Sequence, residues 1–258
     1  MQDLQTRNQT FVAHVGEGGA GQTARRDGWW IEPTLVTIGL VVFIIYSTWA
    51  ALVGTNYQSG PYISPFYSPL IRIPGLAWIS PAIFVLWVPL GFRGSCYYYR
   101  KAYYRAFLWS PPACAVSERP KEYRGESGGW MYWLPVLHRW FLYLSIIVLA
   151  ILWYDAFRAF DFDGHFGLGL GTIVLLVNAA MLTAFTFGCH ALRSLVGGNQ
   201  KCFACGTGGD LRYRGWKIVS YLTGQHPMWA WLSLYMVAIA DLYVRLLAAG
   251  VLQDPRIF

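Results

Sequence analysis

Charge is what this sequence has least of: Asp, Glu, Lys and Arg make up 13% of its 258 residues, against 55% hydrophobic and 17% aromatic. So little charge excludes an ordinary soluble domain, and with a mean hydropathy of +0.36 it points to a bilayer as the solvent. Also missing is the apolar core of a secretory signal, because the first 30 residues are polar and Gly-rich. They read as a cytoplasmic tail held by a partner. No RRM, zinc-finger or helix-turn-helix pattern accompanies the net charge of +7, which makes nucleic acid a poor reading. Repeated halves and charges strung along a substrate path are lacking as well, and this counts against a transporter.

What the chain does have is five apolar segments, at about 34 to 54, 76 to 92, 136 to 157, 167 to 192 and 228 to 250. A helix needs about 20 such residues to cross roughly 30 Å of hydrocarbon. The expected fold is all-α: an integral membrane bundle of five transmembrane helices. The second segment is short and carries Pro81 and Pro89, so it depends on neighbouring helices for support. Residues 1–30 form the tail and 31–258 the membrane domain, with loops at 93–135 and 193–227.

Those two loops and the tail hold most of the basic residues, among them Arg93, Arg100, Lys101, Arg105, Arg119, Lys121 and Arg124 in the first loop. Basic residues near spans stay on the cytoplasmic side. The N-terminus is therefore expected in the cytoplasm and the C-terminus outside.

This topology brings all five cysteines, Cys96, Cys114, Cys189, Cys202 and Cys205, to the cytoplasmic face. That compartment is reducing, so no structural disulfide is expected. The Cys202–Cys205 pair in "CFAC" is half of a zinc or redox motif and by itself a weak signal. His138 and His190 open and close spans at the same depth, each near thiols and an arginine. Metal ligation is the sharper reading of the two; interfacial histidines are the plainer one. Asp241 and Arg245, four apart on the last span, read as a structural ion pair, with a proton path as the alternative. Asp155, near the end of the third span, reads as an interfacial residue.

The run "GSCYYYRKAYYRAFLWSPPACAV" (94–116) carries seven rings among basic residues. Positive-inside charge does not account for the rings, which suit an interfacial helix or a docking surface. Together with "LHRWFLYLSIIVLAILWYDA" and "GCHALR", this run resembles the five-helix, single-chain membrane anchor of a bacterial succinate dehydrogenase (succinate:quinone oxidoreductase). The resemblance covers about residues 90 to 250. It implies a multi-pass protein of the bacterial inner membrane that partners a flavoprotein and an iron-sulfur subunit and passes electrons to a quinone. The sequence carries no flavin or dicarboxylate site of its own. Branches of this family hold either a Rieske-type [2Fe-2S] cluster or haem b.

A Rieske centre takes two cysteines and two histidines, and the expected set is Cys96, Cys114, His138 and His190. Cys189 is set aside because its neighbour His190 points about 100° away on a helix. The haem alternative uses His138 and His190 as axial ligands. For quinone, Trp109, Ser110, Arg139 and Arg193 offer donors at the required depth, with Tyr104 and Tyr143 in reserve.

Overall fold

The computed structural model describes residues 19–76, 78–117, 133–198, 202–203, 205 and 208–257. Arg119, Lys121 and Arg124 of the first basic loop lie outside these residues. Eight α-helices are found among the described residues: α1 (Ile31–Val53), α2 (Ile83–Ser95), α3 (Tyr97–Leu108), α4 (Trp133–Arg158), α5 (Leu170–Phe187), α6 (His190–Gly197), α7 (Gly209–Gly224) and α8 (His226–Ala248). Two small antiparallel hairpins join them, β1 (Gln58–Ser59) with β2 (Tyr62–Ile63) and β3 (Asp161–Phe162) with β4 (His165–Phe166).

Four helices, α1, α4, α5 and α8, are long and apolar enough to cross a membrane. On α1, Leu35, Ile38, Val42, Ile45, Trp49 and Leu52 form an exposed stripe at helical spacing. An apolar stripe of that length suits an apolar neighbour, lipid or another subunit, rather than water. The segment expected as a second span behaves differently. Its helix begins only at Ile83 and runs 13 residues, about 20 Å at 1.5 Å per residue. Pro81 disfavours helix at Ser80, and turn hydrogen bonds instead run from Leu76 to Ile73, Ile79 to Leu76 and Ile83 to Ser80.

The chain divides into two compact units, with the boundary inside α1. The first comprises Met1–Val42 and Tyr97–Tyr132. In it, the tail is fastened by the chain itself. Gly21 N–H donates to the Ser117 carbonyl at 2.9 Å and Ser117 N–H to that of Gln22 at 2.9 Å. Thr23 Oγ1 donates to the Ala115 carbonyl at 2.6 Å and Arg25 to that of Cys114 at 2.7 Å. Arg25 also pairs with Asp27, whose carboxyl is held below its usual range while the guanidinium is raised. Residues 21–25 of the tail are thus held by residues 114–117 of the same chain.

The second unit comprises Phe43–Cys96 and Trp133–Phe258. Its helices α4, α5 and α8 pack around Ala156, Ala159, Leu175, Ala179, Ala240, Val244 and Leu247. Small residues at the seam let the helix backbones approach closely. At one end of this bundle, Asp241 is fully buried and accepts from Tyr46 at 2.6 Å, from Arg245 Nε at 2.7 Å and from Ser64. Arg245 donates further to the carbonyls of Thr55 (2.9 Å) and Ala50 (2.7 Å). Asp155, read from sequence as an interfacial residue, is half-buried and accepts from Ser68. Near the same end, Asp254 ties the C-terminal segment down by accepting from Tyr62, Tyr243 and the Gly171 amide.

Candidate electron-transfer site

At the other end of the second unit, the chain breaks helix three times in ways that turn reactive side chains inward. α2 ends at Cys96, whose extended backbone (φ −64°, ψ 130°) separates it from α3. α5 ends at Gly188, and Cys189, also extended, caps α6. His226 opens α8. The fourth group, His138, lies on the buried stripe of α4 with Leu134, Leu142 and Ser145. All four are buried: Cys96 is 3% exposed, His138 8%, Cys189 1% and His226 4%.

They meet as two thiol–imidazole pairs. His138 Nε2 lies 2.9 Å from Cys189 Sγ, and His226 Nε2 lies 3.5 Å from Cys96 Sγ. His138 Nδ1 is 3.1 Å from the Phe92 carbonyl and 3.1 Å from Ser95 Oγ. A carbonyl only accepts, so the proton sits on Nδ1 and the lone pair of Nε2 faces the thiol. His226 Nδ1 is buried with no hydrogen-bond partner. Aromatic rings wall the pairs. His138 stacks on Phe92 at 4.6 Å, His226 stacks on Phe185 at 5.0 Å, and the two phenylalanines meet edge to face at 5.5 Å. Burial pushes the Cys189 thiol up to about 11, against the opposing pull of the Ala191 and Leu192 amides. Gly188 is required for the approach, since a Cβ there would lie 2.8 Å from the Ala184 carbonyl oxygen and 3.3 Å from His226 Nδ1.

Two members of the expected ligand set, Cys114 and His190, are not among these four. Cys114 is exposed and belongs to the first unit, and His190 is exposed on α6. Cys189 and His190 do diverge, with the cysteine buried and the histidine exposed, but not by a helical step, because the helix stops at Phe187 and Cys189 is extended. His226 was missed. The signal was in the sequence, since His226 stands at the same end of its span as His138. Among the described residues, no group of three or more His, Cys, Asp or Glu is arranged around a single metal ion. Cys202 and Cys205 form a disulfide, contrary to the expectation from a reducing compartment. Their Cα atoms lie 5.5 Å apart, inside the range a bridge requires.

The expected quinone donors are distributed between the units. Trp109, at φ 51°, meets Trp29 edge to face at 6.4 Å, and Ser110 N–H donates to the Tyr104 carbonyl at 3.3 Å, all within the first unit. In the second, Arg139 is exposed one residue beyond His138, and Tyr143, one turn along, is exposed too. Arg193 donates to Ser220 at 3.0 Å and covers the Trp216 ring at 5.4 Å.

Residues 31–250 match the family model described as actinobacterial succinate dehydrogenase subunit SdhC. The chain belongs to that family. A solved structure, the Mycobacterium smegmatis Sdh1 complex in the apo form, contains a similar chain: 36% identical, TM-score 0.82, covering 92% of this chain and 94% of that one. No curated protein matches. Family membership makes this chain a multi-pass membrane subunit of a succinate dehydrogenase, partnered by the other subunits of that complex.

Proposed function

We propose that this chain anchors the flavoprotein and iron-sulfur subunits of succinate dehydrogenase to the membrane and relays electrons from the latter to a quinone. The observation that carries the relay is the burial of two thiols against two imidazoles at one end of the bundle. Two thiols and two imidazoles are the donor complement of a Rieske-type [2Fe-2S] cluster. The ligand set becomes Cys96, Cys189, His138 and His226, with Cys114 and His190 given up. Such a cluster, when bound, supplies a one-electron relay whose potential is raised by imidazoles in place of thiolates. The chain's own groups prepare the site: the Phe92 carbonyl fixes the His138 tautomer, and Phe92 and Phe185 keep water out. No observation favours haem ligation by His138 and His190, since His190 is exposed.

Arg139 and Tyr143 lie one turn apart on α4 beside this site, and they are the donors proposed for the quinone carbonyl oxygens; Arg193, Trp109 and Ser110 stand as the further candidates from the sequence. The membrane arrangement proposed is five helices, with α2 as the short fifth, the N-terminus cytoplasmic and the C-terminus outside. Single cysteines introduced at Gly60 and Asp210 test the sidedness: labelling of position 60 from the cytoplasm would reverse it. Co-purification with a flavoprotein and an iron-sulfur subunit tests the partnership. In the purified complex, Arg139→Ala is expected to cut quinone reduction at least tenfold while succinate oxidation with an artificial acceptor persists. Unchanged quinone reduction removes Arg139 from the site.

A further inference from the structure

α2 carries one more group into this region. Arg93 follows Phe92 and precedes Cys96 by three residues, so the same helical end supplies a ring to His138, a thiol to His226 and a cation. Its guanidinium is half-buried and held from α8: one nitrogen donates to Ser233 Oγ at 3.0 Å and another to the Ala230 carbonyl at 3.3 Å. Its central carbon lies 4.5 Å over the Phe185 ring, on which His226 stacks at 5.0 Å. A permanent positive charge and an imidazole of the site thus both pack on the buried Phe185 ring.

We infer that Arg93 is a positioning residue that sets the redox potential of this site, stabilising the form that has gained an electron. The inference rests on the cluster reading above. Reduction adds one negative charge to the centre, and a nearby fixed cation in a poorly screened setting stabilises that charge. Arginine suits the role because it remains protonated and its planar fork is held at two points. The contacts with Ser233 and Ala230 also tie the helix that bears Cys96 to the one that bears His226, a structural role that would not by itself move a potential.

The test is a redox titration of the purified complex followed by electron paramagnetic resonance of the Rieske-type signal. Arg93→Gln is expected to retain the signal and lower its midpoint by the equivalent of a tenfold change in equilibrium constant, about 59 mV for a one-electron couple. Arg93→Lys, which keeps the charge, is expected to restore most of it. If the glutamine complex does not assemble, Ser233→Ala, which loosens the guanidinium, is read instead, with a smaller fall in the same direction. A retained signal with an unchanged midpoint in Arg93→Gln, or in Ser233→Ala if that is the one available, overturns the inference. A lysine variant as low as the glutamine one overturns it too. A wild-type complex with no such signal removes the cluster reading, and this inference with it.

Discussion

The two ends of the second unit both bury polar groups inside an apolar bundle, but they do so in opposite ways. At the Asp241 end the carboxylate has three donors and the Arg245 guanidinium has two carbonyls as well as the carboxylate. At the Cys189 end, thiols face imidazoles and His226 Nδ1 has no partner. A buried polar network whose members satisfy one another is a fastening. Soft donor atoms buried against each other, with a nitrogen left over, are a site built for something further.

The contrast predicts where substitution breaks the complex and where it breaks only the chemistry. The largest effect on stability belongs to Asp241→Ala, which leaves a buried guanidinium without its carboxylate and should cost about 3 to 5 kcal/mol, seen as lost assembly or a lower unfolding temperature in detergent. Gly188→Ala comes next, at about 1 to 3 kcal/mol, because the new Cβ meets the Ala184 and Leu222 carbonyl oxygens at 2.8 and 3.0 Å. It should also disturb the redox site, as His226 Nδ1 lies 3.3 Å away. Cys189→Ala is near-isosteric and should cost about 1 kcal/mol or less, yet abolish the redox signal. If Asp241→Ala proved mild and Cys189→Ala destructive to assembly, the contrast between the two ends would be reversed.

The smallest effect is one of pH. In metal-free protein, Cys189 stays protonated well past an ordinary thiol, its value raised from 9.0 to about 11 by burial. A raised value means stability is complete below the unfolded value and falls as pH climbs from 9.0 towards 11. Alkylation of Cys189 by iodoacetamide should therefore be negligible at neutral pH and rise only in that alkaline window, whereas the exposed Cys114 should react at ordinary rates. Fast modification of Cys189 at neutral pH would show that its burial is not maintained.

Much of this fold can be read in the sequence, because hydropathy periodicity reports the bilayer directly. Four of five expected spans correspond to long helices within a few residues, and the Asp241–Arg245 pair was visible from its four-residue spacing. The short α2 is the exception, since proline shortened the helix but left its composition apolar. The site was half legible. Cys96 and His138, which the structure places among the four buried residues, were singled out because depth along the spans follows from topology. Cys189 and His226 were not, because their placement depends on a helix that stops at Phe187 and resumes at His190. An ideal helix run through that point puts the wrong neighbour inward. The fastening of residues 21–25 to 114–117 was not legible either, as backbone carbonyls accept its bonds and carry no side-chain signature.

The assignment of the site turns on which thiol and which imidazole the chemistry uses. Electron paramagnetic resonance of the dithionite-reduced complex, compared between Cys189→Ser and Cys114→Ser and between His226→Leu and His190→Leu, measures that directly. A Rieske-type signal lost in Cys189→Ser and His226→Leu but kept in Cys114→Ser and His190→Leu is predicted. A signal that survives the first pair, or vanishes in the second while the complex remains assembled, contradicts the assignment.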